Sequence, residues 1–475
     1  MNSDTAEMAI VDAASELAGP LEPTTAGPLL RRWTRLRDDL RAVDPARTRA
    51  AREAWRALWS SRLLVWIAGM GTVLALGTGP VRKAFDPPGV TRGLGSLGNL
   101  LAAPAARWDA AWYLVIAHYG YRPDLGAYTS SRAAFFPLYP LGLSAIAHIG
   151  VPPVLAGVLL SIGALALALY GIHRLTTLEL ARVGKDKDPA HPGEVARLAV
   201  MVTAFAPMAF FFSAVYSESL YLALSVGVFW CAREGRWAWV GVLGALAAAT
   251  RSAGVVLMLP VVMLYLYGPR EDRMPDFLAR SRWRPVYRLR KDFLWIGLVP
   301  AGLGLYMAYL ALSGGDALMP FHAQDVWGRH FAGPYLGVWD GARAAFEGAR
   351  QLLSLQRHHV YFPQAGGSPF VDAGHNLMLL AFLLAAVPAV VGVLRLLPLS
   401  YGVYVIAALA MPLSYPVSSQ PLMSLPRFLV VLFPLSIWLA TWLAAHPRAR
   451  MPALVGSSLL MALFVAQFAT WHWVA

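Results

Sequence analysis

Long apolar runs separated by short polar stretches recur along most of the 475-residue chain. Each run has roughly 14–22 residues, about the length at which a helix crosses the hydrocarbon core of a bilayer. Inside lipid the backbone must satisfy its own hydrogen bonds, which an α-helix does within one segment. The pattern therefore predicts an all-α polytopic membrane protein with about 11–12 transmembrane helices. The clearest predicted spans are 62–79, 152–173, 196–214, 217–232, 237–250, 253–268, 293–312, 376–396, 400–414, 427–444 and 452–470.

The segment 135–150, FFPLYPLGLSAIAHIG, fits this pattern less well because it is short and has Pro137 and Pro140 near its start. We expect it to be re-entrant or shallow, a placement that is tolerated where protein or water surrounds the backbone. A complete crossing would put the basic N-terminal segment and the later basic loops on opposite sides of the membrane. That would break the rule that Lys and Arg stay on the cytoplasmic side.

Charge predicts the orientation of the chain. The segment 268–291 carries eight Lys or Arg residues against three acids, and 174–197 is also basic. Both are therefore expected on the cytoplasmic side, together with the N-terminus. The large loops 80–134 and 313–375 then lie on the outer face, where we expect them to carry amphipathic helices. We expect a multi-pass protein of the plasma (inner) membrane.

The N-terminal region lacks the apolar character of the rest. Residues 1–30 are polar and are predicted to form a disordered cytoplasmic tail. Ten arginines follow between Arg31 and Arg62. Residues 31–61 are therefore predicted to form a basic helix, either on the anionic membrane surface or in solvent. The transmembrane domain is expected to occupy residues 62–475.

Composition agrees with a membrane protein, since 57% of the residues are hydrophobic and 14% are charged. The formal net charge of +13 is assigned to cytoplasmic loops, and no nucleic-acid partner is expected. The single cysteine, Cys231, excludes an intrachain disulfide and is expected to be a buried, inert thiol. The sequence has no GxxxxGK[ST], GxSxG or HExxH motif. We therefore expect no nucleotide-binding domain.

Asp109 is an acidic residue in a largely apolar stretch, RWDAAWYLVIAHYGY. A helix over residues 106–118 would place Trp112 and Tyr113 on the same side as Asp109. A carboxylate at the membrane boundary is unfavourable unless it is paired or functional. Asp109 is thus a candidate general base for a sugar hydroxyl. The alternatives are an ion pair with Arg107 or a helix cap.

Three further charges stand at the predicted outer ends of apolar helices. Glu218, in YSESLY, is a candidate sugar-binding or catalytic carboxylate, or a favourable acid at a helix N-terminus. Arg251, in ATRSAG, and Arg427, in SLPRFLVVLFP, can hold a phosphate through a planar fork or can extend to the interface as ordinary cations.

The outer-loop segment PFHAQDVWGRHFAGPYLGVWDG contains polar and aromatic side chains typical of sugar recognition. His322, Gln324 and Asp325 are predicted to line the site. His322 and His330 are conceivable metal ligands, but their spacing matches no strong ligand motif. We therefore assign no metal site and expect no cofactor.

Five motifs, in order along the chain, resemble those of the PIG-V-like mannosyltransferases, membrane enzymes of the GT-C class. They are RWDAAWYLVIAHYGY, AFFPLYP, APMAFFFSAVYSESLY, AATRSAG and SLPRFLVVLFP. The resemblance implies a GT-C fold, a polyprenyl-phosphate sugar donor, expected to be mannose, and inversion at the anomeric carbon on the outer face. It also implies that Asp109 is catalytic. The same motifs supply Arg107, Trp108 and Tyr216 as substrate-binding candidates.

The acceptor does not follow from the resemblance. Eukaryotic members act on GPI intermediates, whereas the abundance of Ala, Arg and Gly is typical of a bacterium with GC-rich DNA. We therefore expect a glycan or glycolipid acceptor. Two alternatives stay open: a GT-C enzyme with another lipid-phosphate sugar, such as arabinose or galactose, and a transporter or lipid flippase. Transporters often contain internal repeats, and the chain has no repeat of fixed period.

Overall fold

The computed structural model describes residues 44–79, 95–122, 131–183, 192–273 and 284–475. The chain divides into two compact units, Met1–Arg49 and Ala50–Ala475. Only the start of a helix is described in the first unit. The predicted tail 1–30 lies outside the described residues, as does the 31–43 part of the predicted basic helix.

Apart from one isolated antiparallel β-bridge, the regular elements in the described ranges are helices. The α-helices are α1 (Pro45–Leu76), α2 (Gly95–Ala102), α3 (Ala110–Tyr119), α4 (Leu138–His148), α5 (Pro153–Val183), α6 (Pro192–Ala204), α7 (Glu218–Arg233), α8 (Trp237–Ala248), α9 (Ala253–Val256), α10 (Met258–Tyr267), α11 (Ala301–Leu312), α12 (Met319–His322), α13 (Pro334–Ser354), α14 (Pro369–Leu396), α15 (Leu399–Leu413), α16 (Leu425–Val430), α17 (Phe433–Ala445) and α18 (Pro447–Ala469). Short 3-10 helices at Ser131–Ala134, Ala209–Ser213, Lys291–Leu298 and Ala323–Trp327 join them.

Four described helices are long and apolar enough to cross a bilayer alone, namely α1, α5, α14 and α18. The helix Lys291–Leu298 and α11 form a further candidate span that bends by 45°. These helices confirm the prediction of an all-α polytopic membrane protein. Further apolar helices of the described residues are shorter, with 10–17 residues, so the predicted number of about 11–12 spans stays a prediction.

Several apolar runs are divided or too short in the structure. Within the predicted span 196–214 the α-helix ends at Ala204, and a 3-10 helix follows after Pro207. The predicted span 427–444 is divided between α16 and α17, and α17 has Pro434 in its first turn. Helix α8 has 12 residues, which at 1.5 Å per residue is roughly 18 Å. Apolar runs therefore mark burial against protein as well as against lipid.

The segment 135–150 contains α4, which begins after Pro137 and has 11 residues. Such a helix is roughly 16 Å long, about half of a bilayer core. Its re-entrant or shallow placement stays a prediction, because the structure contains no membrane.

Helix α5 is central to the packing that positions the site. Helices α6 and α7 pack against it, and α6 also packs against α17. Helices α5 and α7 can approach closely because residue 171 is a glycine. A Cβ added at Gly171 would lie 2.6 Å from a methyl group of Val226. A larger side chain at this position would therefore push α7 outward, and Glu218 begins that helix.

Candidate active site

A cavity of about 480 Å³ lies where loop segments meet the ends of several helices. Its charged lining residues are Asp109, Arg251, Arg329 and Arg427. Its aromatic lining residues are Trp108, Tyr113, Phe135, Phe136, Tyr221, Phe321, Trp327, Tyr415, Phe428 and Trp473. Three cations against one carboxylate suit an anionic ligand, and the aromatic walls suit a sugar or an apolar chain.

Asp109 stands in the turn that precedes α3. The helix begins at Ala110, not at residue 106 as predicted, because Trp108 has a positive φ of 55° that no regular helix accommodates. The Asp109 side chain makes no capping hydrogen bond, and 18% of it is exposed. This turn therefore directs a carboxylate toward the cavity and leaves it free of a capping role.

Arg427 joins the two acidic residues of the site. Its Nη1 donates to Oδ2 of Asp109 at 2.9 Å. Its Nε and Nη2 donate to Oε1 of Glu218 at 3.1 and 2.9 Å. The guanidinium also stacks 4.8 Å from the ring centres of Phe211 and Tyr216. Asp109 thus pairs with Arg427, a partner that the sequence did not suggest.

Glu218 is fully buried and is not part of the cavity wall. Its Oε1 also lies 2.9 Å from Nη1 of Arg251, so that one carboxylate oxygen faces two guanidinium groups. Burying a carboxylate is unfavourable unless cations compensate it, and here two arginines do so. The structure places Glu218 behind Arg251 and Arg427, where it can hold both but cannot touch a ligand in the cavity.

The other predicted site residues divide into three groups, of which two lie at or behind the cavity. Trp108 and Gln324 line the cavity. Arg107 and Tyr216 are buried behind it, where the Tyr216 hydroxyl donates to the backbone oxygen of Arg107 at 2.9 Å. Arg107 itself stacks over Trp471 at 4.8 Å.

His322 and Asp325 are exposed and do not line the cavity. The Nδ1 of His322 lies 2.8 Å from a carboxylate oxygen of Asp316 instead. Within the 3-10 turn Ala323–Trp327, Gln324 lines the cavity whereas Asp325 is exposed, and His322 precedes the turn, so the structure does not bring His322 and Asp325 into the cleft as predicted. Among the described residues, no three His, Cys, Asp or Glu side chains are grouped to hold a metal ion.

Arg329 and Trp473 line the cavity but were not among the predicted site residues. Arg329 lies in the segment PFHAQDVWGRHFAGPYLGVWDG, close to Gln324. A basic residue so near a predicted site residue could have indicated a place in the site. Trp473 follows the last helix and had no such signal. It contacts Trp108 edge-to-face, with ring centres 5.5 Å apart, and its buried Nε1 has no hydrogen-bond partner among the described residues.

Comparison with known proteins gives one family. Residues 77–267 match the family model described as Mannosyltransferase (PIG-V). GPI alpha-1,6-mannosyltransferase 2 from Mus musculus is 29% identical over 244 residues, or 48% of this chain and 45% of the relative. The protein of the same name from Rattus norvegicus is 32% identical over 179 residues, or 36% of this chain and 34% of the relative.

The chain thus matches less than half the length of either relative. No solved structure matches it. The family match includes Asp109, Glu218 and Arg251, whereas Arg427 lies beyond it. Over residues 77–267, which carry most of the charged cluster, the chain is therefore similar to the PIG-V mannosyltransferases, the family that its motifs resemble.

Proposed function

We propose that this protein is a membrane mannosyltransferase that moves mannose from a polyprenyl-phosphate donor to a hydroxyl of a glycan or glycolipid, on the outer face of the plasma membrane. The observation that carries the proposal is the cluster in which Arg427 joins Asp109 to Glu218 at the wall of a cationic cavity. Mannose is chosen because both relatives and the matching family are named for its transfer.

Asp109 acts as the general base. Arg427 engages only Oδ2 of this carboxylate, and among the described residues Oδ1 has no such partner. In this proposal Oδ1 accepts the proton of the acceptor hydroxyl. As the proton leaves, the acceptor oxygen bonds to the anomeric carbon from the face opposite the phosphate. The bond from that carbon to the phosphate oxygen breaks, its electron pair leaves with polyprenyl phosphate, and the configuration inverts.

The cationic wall supports the departure of the phosphate. Negative charge grows on the leaving oxygen in the transition state, and fixed cations that face it lower the barrier. Arg251, Arg329 and Arg427 supply this positive charge at the cavity wall. The leaving group needs no general acid under this proposal, and the arginines take the role that a metal has in other transferases.

The direct test is transfer of labelled mannose. Membranes with this protein should move label from polyprenyl-phosphate mannose to a product that Asp109→Asn membranes do not form. Transfer from the arabinose or galactose donor alone would replace the sugar in the proposal. Movement of intact donor between leaflets without cleavage would assign a flippase and reject the transferase.

A further inference from the structure

We infer that Arg329 holds the donor phosphate together with Arg251, and that Arg427 is a positioning residue for the Asp109 carboxylate. This assignment rests on the proposed function for the nature of the ligand. It differs from the reading of the sequence, in which Arg251 and Arg427 form the phosphate site.

Arg427 is already occupied. Its Nε and both terminal nitrogens donate to carboxylate oxygens at 2.9–3.1 Å. Three of its five N–H donors are therefore used. A phosphate bound to the remaining two would approach the Asp109 carboxylate, and like charges at such a distance repel each other.

The charges also separate Arg329 from the other arginines. Arg251 and Arg427 contribute two positive charges, and Asp109 and Glu218 contribute two negative charges, so this group of four is neutral. Arg329 then adds one uncompensated positive charge to the cavity wall. A sugar joined to a lipid by a phosphodiester carries one negative charge. The unbalanced charge of the cavity thus equals and opposes that of the proposed donor.

Arg329 is held at the edge of the cavity by neutral groups. Its Nη1 donates to the backbone oxygen of Tyr415 at 3.1 Å, and its Nη2 to that of Met423 at 3.4 Å. No carboxylate lies within ion-pair distance of it among the described residues. Burial and the nearby Arg427 lower the pKa of Arg329 to about 10, which leaves it charged at neutral pH. A cation that is fixed, charged and without a counter-ion is suited to bind an anion.

The surroundings of Arg329 fit a phosphate with an apolar substituent. The same cavity is bounded by Met411 and Pro412 of α15 and by Phe428 of α16. A free phosphate would gain nothing from this apolar wall, whereas an isoprenyl chain would bury surface against it. The ligand class is therefore an isoprenyl phosphate.

A purely structural role for Arg329 must be separated from binding. The segment around Arg329 also joins the loop 414–424 through a β-bridge to Val417 and a ring contact between Phe331 and Tyr415. Arg329 could therefore hold two segments together without touching a ligand. Phe331→Ala weakens the same junction and keeps the cation, which makes it the matched control.

The experiment measures binding of farnesyl phosphate to the purified protein by thermal shift, with farnesol as the uncharged probe. Farnesyl phosphate should stabilise the wild type more than farnesol does. Arg329→Gln should weaken farnesyl phosphate binding about tenfold or more, the range for a hydrogen bond to a charged group. Binding by Arg343→Gln, which removes an exposed arginine from α13, and by Phe331→Ala should change less than about threefold, since both keep the proposed contact.

Three results would overturn the inference: equal stabilisation of the wild type by both probes, normal binding by Arg329→Gln, or an equal loss in Phe331→Ala. If the Gln variant does not fold, Arg329→His replaces it, since His is largely charged at pH 5.5 and neutral at pH 8. Arg329→His should bind farnesyl phosphate more weakly at pH 8 than at pH 5.5. This loss should exceed any change that the wild type shows between the same two pH values. Farnesyl phosphate binding does not require sugar transfer. If the protein binds farnesyl phosphate through Arg329 but transfers no mannose, only the proposed function is rejected.

Discussion

Arg427 Nη1 and Asp109 Oδ2 lie 2.9 Å apart although 318 positions separate the two residues in the chain. The contact brings α16 onto the turn before α3. It fixes one oxygen of the carboxylate, and among the described residues the other oxygen has no such ion pair. A general base held in this way has one orientation, which is what proton transfer at a defined distance requires.

Asp109→Asn keeps the shape of the side chain and removes its basicity. Turnover should fall by roughly 10² or more, the typical contribution of base catalysis. The protein should stay folded because Arg427 keeps Glu218 as its buried partner. The measurement is transfer of labelled mannose at saturating donor. Asp325→Asn, which changes an exposed carboxylate of the outer segment, should keep normal turnover. Normal turnover in Asp109→Asn would remove Asp109 from the mechanism.

Glu218→Gln should affect stability before it affects chemistry. Loss of this carboxylate leaves Arg251 and Arg427 without their shared buried counter-ion. Removing one partner of a buried ion pair typically costs about 3–5 kcal/mol. The expected result is a lower melting temperature of the purified protein.

Glu347→Gln is the control for Glu218→Gln. Its partner on α13, Arg350, has a side chain that is 62% exposed, and such surface pairs contribute about 0–1 kcal/mol. An unchanged melting temperature in Glu218→Gln, with lost donor or acceptor affinity, would instead return Glu218 to a direct role in the cavity.

Trp473→Ala should weaken substrate binding more than turnover. The indole forms part of the cavity wall beside Trp108. We expect KM for donor or acceptor to rise by up to roughly tenfold, since a lost aromatic contact costs about 0.5–1.5 kcal/mol. Trp339→Ala, an exposed tryptophan of α13, should leave KM unchanged. Equal effects of the two variants would argue against a specific contact by Trp473.

Chelators should not inhibit the transfer reaction. Arginines supply the positive charge of the proposed site, and the described residues contain no group of ligands for a metal ion. Membranes treated with EDTA and then washed should retain the initial rate of labelled mannose transfer. Loss of activity that returns on addition of Mg²⁺ or Mn²⁺ would contradict an arginine-only phosphate site.

Membrane orientation can be tested with single cysteines in a Cys231→Ser background. Ser368→Cys, at an exposed position of the loop 313–375, should react with an impermeant thiol reagent in intact cells. Arg284→Cys, in the basic segment 268–291, should react only after the membrane is opened, since such segments remain cytoplasmic. The reverse pattern would place the cavity on the cytoplasmic side.

The sequence was most informative where a charge interrupts an apolar run. Asp109, Glu218, Arg251 and Arg427 could each be selected because an isolated charge in such a setting must be paired or functional. Their partners could not be predicted, since Arg427 lies 209 positions from Glu218 and nothing local indicates the contact. The sequence therefore suggested ligand binding by Arg427, whereas the structure shows carboxylate binding.

Hydropathy was less informative about helix length and about the outer segments. A run such as 196–214 is apolar whether it faces lipid or the protein interior, so it could not show that the helix ends at Ala204. Arg329 and Trp473 occur in polar or mixed segments where basic and aromatic residues are common. Their place in the cavity depends on how distant segments fold together, which periodicity does not encode.

The ion pairs of the site also set an order for its assembly during synthesis. Glu218 can meet Arg251 soon after both have been made, but Asp109 must wait for Arg427, which is 318 positions further along the chain. At about 5–20 residues per second this delay is roughly 15–60 s. During that interval the Asp109 carboxylate lacks the counter-ion that it has in the folded protein. A chain halted before α16 would therefore contain an unpaired Asp109, so the candidate site is complete only when nearly the whole protein has been made.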